Sequence, residues 1–217
     1  TVTVSGEGSE LIIDNVLVVG EFGSGSLEVS NGGLVENDLG FLGSFSTGDG
    51  TVNISGADSR WTNRETLEIG GSGFGVVNLN GGTLEFGALN IGNFGTMNWN
   101  FGTMRDLDDL TIDQDLLMAW IGFGGGSQSG DPVLGVGKTL QVDGTATLFT
   151  QLVVDGGTFR TGDLANAFFL DLQAGTFDLT DRALNVTSGG LFGDTLEVIS
   201  GTQIITQQAT TIAADGE

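Results

Sequence analysis

Apolar and polar residues alternate with period two through most of the chain. The segments TVTVS (1–5), SLEVS (26–30), TVNIS (51–55), VVNLN (76–80), TLQVD (139–143), QLVVD (151–155), FLDLQ (169–173) and TLEVIS (195–200) all carry this pattern. It is the period of a half-buried strand. Most are followed by Gly, Asn or Asp, residues that tolerate left-handed turn conformations. The inward set predicted from this alternation is Val2 and Val4, Leu27 and Val29, Val52 and Ile54, Val77 and Leu79, Met97 and Trp99. Trp61, Leu67, Ile69, Leu84, Leu89 and Ile91 join the expected core.

The alternation is itself repeated. Residues 1–25 (TVTVSGEGSELIIDNVLVVGEFGSG) lie over residues 51–75 (TVNISGADSRWTNRETLEIGGSGFG) without a gap. They share Thr1/Thr51, Val2/Val52, Ser5/Ser55, Gly6/Gly56, Ser9/Ser59, Leu17/Leu67, Gly20/Gly70, Gly23/Gly73 and Gly25/Gly75. A second pattern, built around Gly-Gly-Thr-apolar and close variants, recurs at 77–91, 97–112, 152–164 and 170–186. Units of about 18–25 residues lie at the short end of the periods that mark solenoids and arrays. A unit so short cannot bury its own apolar face and has to stack on its neighbours.

Many short strands at regular spacing suit a β-helix or a sandwich, and the residue-level repetition favours the β-helix. The expected fold is therefore all-β, a parallel β-helix of roughly eight to ten coils at about 4.8 Å per coil. As a single domain, 1–217 would divide into regular repeats over 1–115, a loop insertion over 116–137, looser repeats over 138–206 and a tail over 207–217. Within it, 106–120 has room for a turn or two of helix, and the glycines at 122, 124, 125, 126 and 130 with Pro132 mark a loop over 122–137.

Composition then removes much chemistry. The 217 residues include 39 Gly, one Pro and no Cys, Tyr or His. Without His or Cys there is no imidazole base, no thiolate nucleophile and no typical zinc site. Hydrophobic residues at 39% exclude a disordered chain. The formal charge of −22 sets 28 acidic residues against six basic ones, Arg60, Arg64, Arg105, Lys138, Arg160 and Arg182. Such a surface repels phosphate backbones and anionic membranes, so neither nucleic acid nor membrane insertion is expected. The longest apolar run, LLMAWIGFGGG (116–126), falls short of the roughly 20 residues a span requires. The chain opens on a repeat without a charged n-region and apolar h-region, as a mature product or an excised fragment would.

The pattern in GDGTVNISGADSRWTNRETLEIG (48–70), Gly-x-Gly-x-Val-x-Val-Ser-Gly followed by Ser-x-Trp-x-Asn and Leu-x-Ile-Gly with Ile54 at the second Val, resembles the β-helical repeats of bacterial autotransporter passengers and related secreted surface proteins. The likeness is best over 1–95 and looser over 138–206. It implies a right-handed parallel β-helix at the bacterial cell surface and carries no catalytic residues. Leu11 stands where the second copy has Trp61, so that aromatic reads as core filler.

Candidate sites are few. Asp106, Asp108, Asp109, Asp113 and Asp115 form the densest carboxylate cluster, and hard oxygen ligands are what calcium takes. Their spacing matches neither an EF-hand loop nor the nonapeptide calcium repeat of other β-helices, and a solvated acidic face is the competing reading. On a strand, Leu110 and Ile112 would face inward, with Asp109, Thr111 and Asp113 toward solvent. Arg105 beside Asp106 and Asp108 imitates the charged set of β-helical polysaccharide enzymes, but a chain with so few basic residues and no Tyr is not expected to be one. Asn53 and Asn185 fit the glycosylation sequon and are given no role. The expected function is an extracellular structural rod with no cofactor beyond possible calcium, whose partner is a second copy added head to tail into a filament or surface layer. The alternative is an adhesin or passenger that binds extracellular glycans.

Overall fold

A computed structural model describes residues 1–112, 133–148, 152–165, 170–179, 185–186, 202–206 and 211–212. Among these, every regular element is a strand, and the strands stack in parallel as a β-solenoid. The chain forms two compact units, Thr1–Leu107 and Asp108–Glu217.

The first unit contains β1 (Val2–Ser5), β2 (Glu10–Val19), β3 (Ser24–Ser30), β4 (Leu34–Leu42), β5 (Asp49–Ser55), β6 (Arg60–Ile69), β7 (Phe74–Ile91) and β8 (Gly95–Asp106). One side of the coil is built by β1, β3, β5 and the first halves of β7 and β8. Their register runs Val2–Leu27–Val52–Val77–Met97 and Val4–Val29–Ile54–Leu79–Trp99. These are the inward columns expected from the alternation, and all but Val2 are buried. The remaining two sides come from β2, β4, β6 and the second half of β7, each broken by a register shift after Ile13, Asn37, Asn63 and Phe86. A bulge of this kind bends a strand, which turns one run of chain into two sides of a three-sided coil.

The bulges also explain why residues 1–25 match 51–75 so well. Asp14 and Asn15 lie between paired residues of the first coil and Arg64 and Glu65 between those of the third, whereas Asp38 alone occupies this corner in the second and Gly87 in the fourth. Odd and even coils differ at their corners. The gap-free repeat therefore spans two coils, while side-chain partners between adjacent coils stand 25 residues apart, falling to 20 at the fourth.

Regular coils number about five, fewer than the eight to ten expected. Each coil of the first unit consumes up to 25 residues, the long end of the assumed period, and dividing the whole length by a 20–25-residue period overcounts the regular coils. Leu89 and Ile91 are a further correction, for both are half-buried. They pair with Leu67 and Ile69 on β6, but the β7–β8 register ends at Phe86 and Asp106.

Backbone closure at the corners requires glycine. Gly20, Gly43 and Gly70 have φ of 72°, 67° and 69°, the left-handed region that L side chains avoid. A Cβ on Gly43 would overlap the backbone of Phe74, and one on Gly70 that of Gly95. The second constraint lies inside. Asn37 Nδ2 donates to Asn63 Oδ1 at 2.7 Å and Trp61 Nε1 donates to Asn37 Oδ1 at 2.8 Å, all three side chains being fully buried. Gly40 makes room for this ladder, because a Cβ there would overlap Asn63 Oδ1.

The second unit contains β9 (Leu110–Ile112), β10 (Val133–Gly135), β11 (Lys138–Leu148), β12 (Leu152–Ala165), β13 (Leu170–Leu179), β14 (Asn185–Val186), β15 (Thr202–Thr206) and β16 (Thr211–Ile212). Here β11, β12, β13 and β15 pair in parallel, with Leu140, Phe159 and Phe177 in one column. The Thr-Phe pairs 158–159 and 176–177 of the Gly-Gly-Thr pattern fall in register. Val133–Gly135, inside the stretch read as loop, is a short strand paired to β12. Its Val-Leu-Gly sequence is too short to show a period of two and directly follows the glycine-rich run. The possible helical turn within 106–120 is β-strand at 110–112, and residues 113–120 lie outside the described residues.

Ile54 and Leu79 are fully buried in one column. Replacing either with Asp places an unpaired charge in the stack and lowers stability by about 3–5 kcal/mol. Urea melts check this, and a variant with the parental midpoint would contradict the register.

Candidate functional site

The sequence-predicted carboxylates do not share one setting. Asp106 ends the first unit's β8, buried in the corner column of Asn63 and Phe86. In the second unit Asp108 and Asp109 are exposed, and Asp109 Oδ1 accepts the Thr145 N–H at 2.6 Å. Leu110 and Ile112 face inward and Thr111 outward, as the alternation predicts. Asp113 and Asp115 lie outside the described residues. Among the described residues no three acidic side chains gather closely enough to hold a metal ion. Trp61 and Trp99 are buried, whereas Trp120 lies outside the described residues.

The arginines of the first unit bridge coils. Glu85 is 6% exposed and accepts from Thr62 Oγ1 at 2.7 Å and from Arg105 Nη1 at 2.9 Å, with Arg60 Nε 4.0 Å away. Thr62, Glu85 and Arg105 occupy one outward column on successive coils. Arg64 reaches Glu36 at 2.7 Å and Asp38 at 3.1 Å on the coil before it. Its hydrogen bond to Asp38, helped by the charge of Glu36, raises the guanidinium pKa further. In the second unit Arg160 bridges to Asp178 at 2.8 Å, and burial pushes the Lys138 ammonium pKa down. These cations offset repulsion between coils that are rich in carboxylates.

The β1/β3/β5 side is different. Its central outward column runs Thr3, Glu28, Asn53, Asn78 and Asn98. Asn53 donates to Glu28, Asn78 to Asn53 at 2.6 Å, and Asn98 to Asn78 at 2.8 Å. The column on one flank is Ser26, Thr51, Val76 and Thr96, with Thr1 Oγ1 2.7 Å from Ser26 Oγ. On the other flank run Ser5, Ser30, Ser55 and Asn80, and Asn100 donates to Asn80 at 2.7 Å. Glu28 is the only charged residue in these three columns, and its carboxylate accepts from the Asn53 amide. Asn53, the first sequon residue, thus has its side chain in the ladder.

Four phenylalanines border this side, three on the stacked turns that lead into it and Phe74 at the start of β7. Phe22, Phe45, Phe74 and Phe94 are 65%, 48%, 61% and 47% exposed. Phe22 and Phe45 stack with centroids 4.3 Å apart and planes 12° apart, and Phe74 meets Phe94 edge to face at 5.6 Å. The turns bond to one another: Asp49 N–H donates to Gly23 O, Phe74 N–H to Gly48 O and Gly73 N–H to Gly43 O. Sequence reasoning missed this feature by weighing only tryptophan and tyrosine as surface aromatics. The signal was the Phe-Gly dipeptide closing coil after coil, at 22–23, 74–75 and 94–95.

No protein-family model matches this chain, and no curated protein or solved structure matches it.

Glu85 meets Thr62, Arg105 and Arg60 on neighbouring strands. Glu85→Gln keeps the shape but weakens two charge-assisted hydrogen bonds, and is expected to lower stability by about 1–3 kcal/mol. Chemical denaturation of parent and variant measures the loss; equal midpoints would mean that the cluster contributes nothing.

Proposed function

We propose that this chain is an extracellular structural protein, a β-solenoid that extends head to tail by adding the coil of a second copy. The observation that supports the reading is that no described strand pairs with the outer edge of the coil formed by β1 and β2. Among the described residues strand β1 pairs only with β3, and β2 only with β4. Val2 is 51% exposed, and a cavity of about 150 Å³ lined by Val2, Leu11, Leu17 and Leu27 opens there. Free backbone groups beside open apolar columns form a template for one more parallel coil. A contact between unlike edges does not close on itself and so propagates as a filament. The acidic coat keeps such filaments from adhering sideways. The extracellular setting rests on the resemblance of 48–70 to autotransporter repeats.

A second reading, an adhesin or carbohydrate-binding passenger, is favoured by the row of exposed phenylalanine rings.

Assembly is tested by sedimentation velocity across a range of concentrations. The parent is expected to gain mass with concentration, and the variant V2K/L17K, with charges on the open edge, to stay monomeric. A parent that remains monomeric throughout, or a variant that assembles equally well, would overturn the reading.

A further inference from the structure

We propose that the amide- and hydroxyl-rich side of the first unit and the phenylalanine turns beside it form a platform for a neutral polysaccharide chain. The proposal rests on the carbohydrate-binding reading and supplies its surface and ligand class.

Folding gives no reason for the rings to be outside. Phe86, Phe159 and Phe177 are fully buried, so the fold has interior room for phenylalanine. A single exposed ring needs no explanation, but four along one border form a patch, and patches of this kind mark binding surfaces. The neighbouring side is equally unusual in charge. The chain has 28 acidic residues, yet only Glu28 enters the three outward columns, and only Asp49 joins it on the strands of this side, in the adjacent column of Phe74. Two independent features, an aromatic edge and a field of amides and hydroxyls with few charges, therefore lie next to each other.

Together they match the two halves of a sugar ring. Its C–H faces are apolar and pack on aromatic rings, while its hydroxyl edges exchange hydrogen bonds with amides and hydroxyls that can both donate and accept. The coil repeat presents the same groups again about every 4.8 Å along the stack. A ligand that repeats can engage them many times, which favours a polymer over a single sugar. The overall charge of −22 repels polyanions, and a side with so few carboxylates among its amides and hydroxyls offers a polycation little to pair with, which leaves a neutral chain as the occupant. The same repulsion opposes a second copy packed side by side.

The test uses the full chain and depletion from solution by insoluble cellulose and by chitin, with soluble polygalacturonate as the anionic comparison. The parent should bind at least one neutral polymer, with little dependence on salt, and should not bind polygalacturonate. Replacing Phe22, Phe45, Phe74 and Phe94 together by Ala should weaken binding by about tenfold or more with the melting temperature kept. Should that variant unfold, the Phe→Leu set at the same positions retains apolar bulk, removes the rings and should show the same loss. Binding that survives loss of the rings would overturn the platform while leaving carbohydrate binding in place. No binding to either neutral polymer would overturn both. Preferential binding to polygalacturonate would overturn the ligand class.

Discussion

A coil of 25 residues has no interior until another coil covers it. In the first unit the parallel backbone ladder between coils does two jobs at once. It satisfies the peptide groups of each strand, and it brings like side chain over like side chain so that Val29, Ile54 and Leu79 become one continuous apolar column. Every other feature depends on that stacking, because a slip of one residue would exchange the inward column for Glu28, Asn53 and Asn78. Edges show the converse: among the described residues Val2 on the first coil and Leu89 and Ile91 on the fourth pair with a strand on one side only, and they stay partly exposed.

Apolar columns tolerate shifts more easily than polar ones, and the buried Asn37–Asn63–Trp61 contacts supply what they lack. Each hydrogen bond links specific atoms on adjacent coils, and displacing the register would leave buried amides unpaired at a cost of about 1–3 kcal/mol each. Asn63 Nδ2 already lacks a hydrogen-bond partner where the ladder meets Phe86. The corner glycines act in the same direction, for the close approach of Gly43 to Phe74 and of Gly70 to Gly95 holds only when coils lie in this alignment.

Much of this was legible in the alternation. The columns headed by Val2 and Val4 were identified from period two and repetition, and Trp61 as core from its replacement by Leu11 in the matching repeat. Less legible was the coil itself. The gap-free match spans two coils because corners of one and two residues alternate, a difference visible only once partners are known. Side-chain ladders were hidden for a similar reason: Asn37 and Asn63 look like turn residues until the bulge places them inside. The carboxylate cluster at 106–115 was read as a unit from proximity in sequence, whereas Asp106 turns inward and Asp109 caps a backbone amide of its own unit. Glycan binding was weighed on tryptophan and tyrosine, so the phenylalanine turns that now bear on it escaped notice.

The register can be measured directly because the chain has no cysteine of its own. Residues paired on adjacent strands lie about 4.8 Å apart, within the Cα separation a disulfide accepts, while a partner displaced by two residues lies about 8 Å away and outside it. The double variant N53C/N78C is therefore expected to form an intramolecular disulfide under mild oxidation, and N53C/N80C is expected to remain reduced. Efficient oxidation of the displaced pair with none in the aligned pair would contradict the stacking on which the account stands.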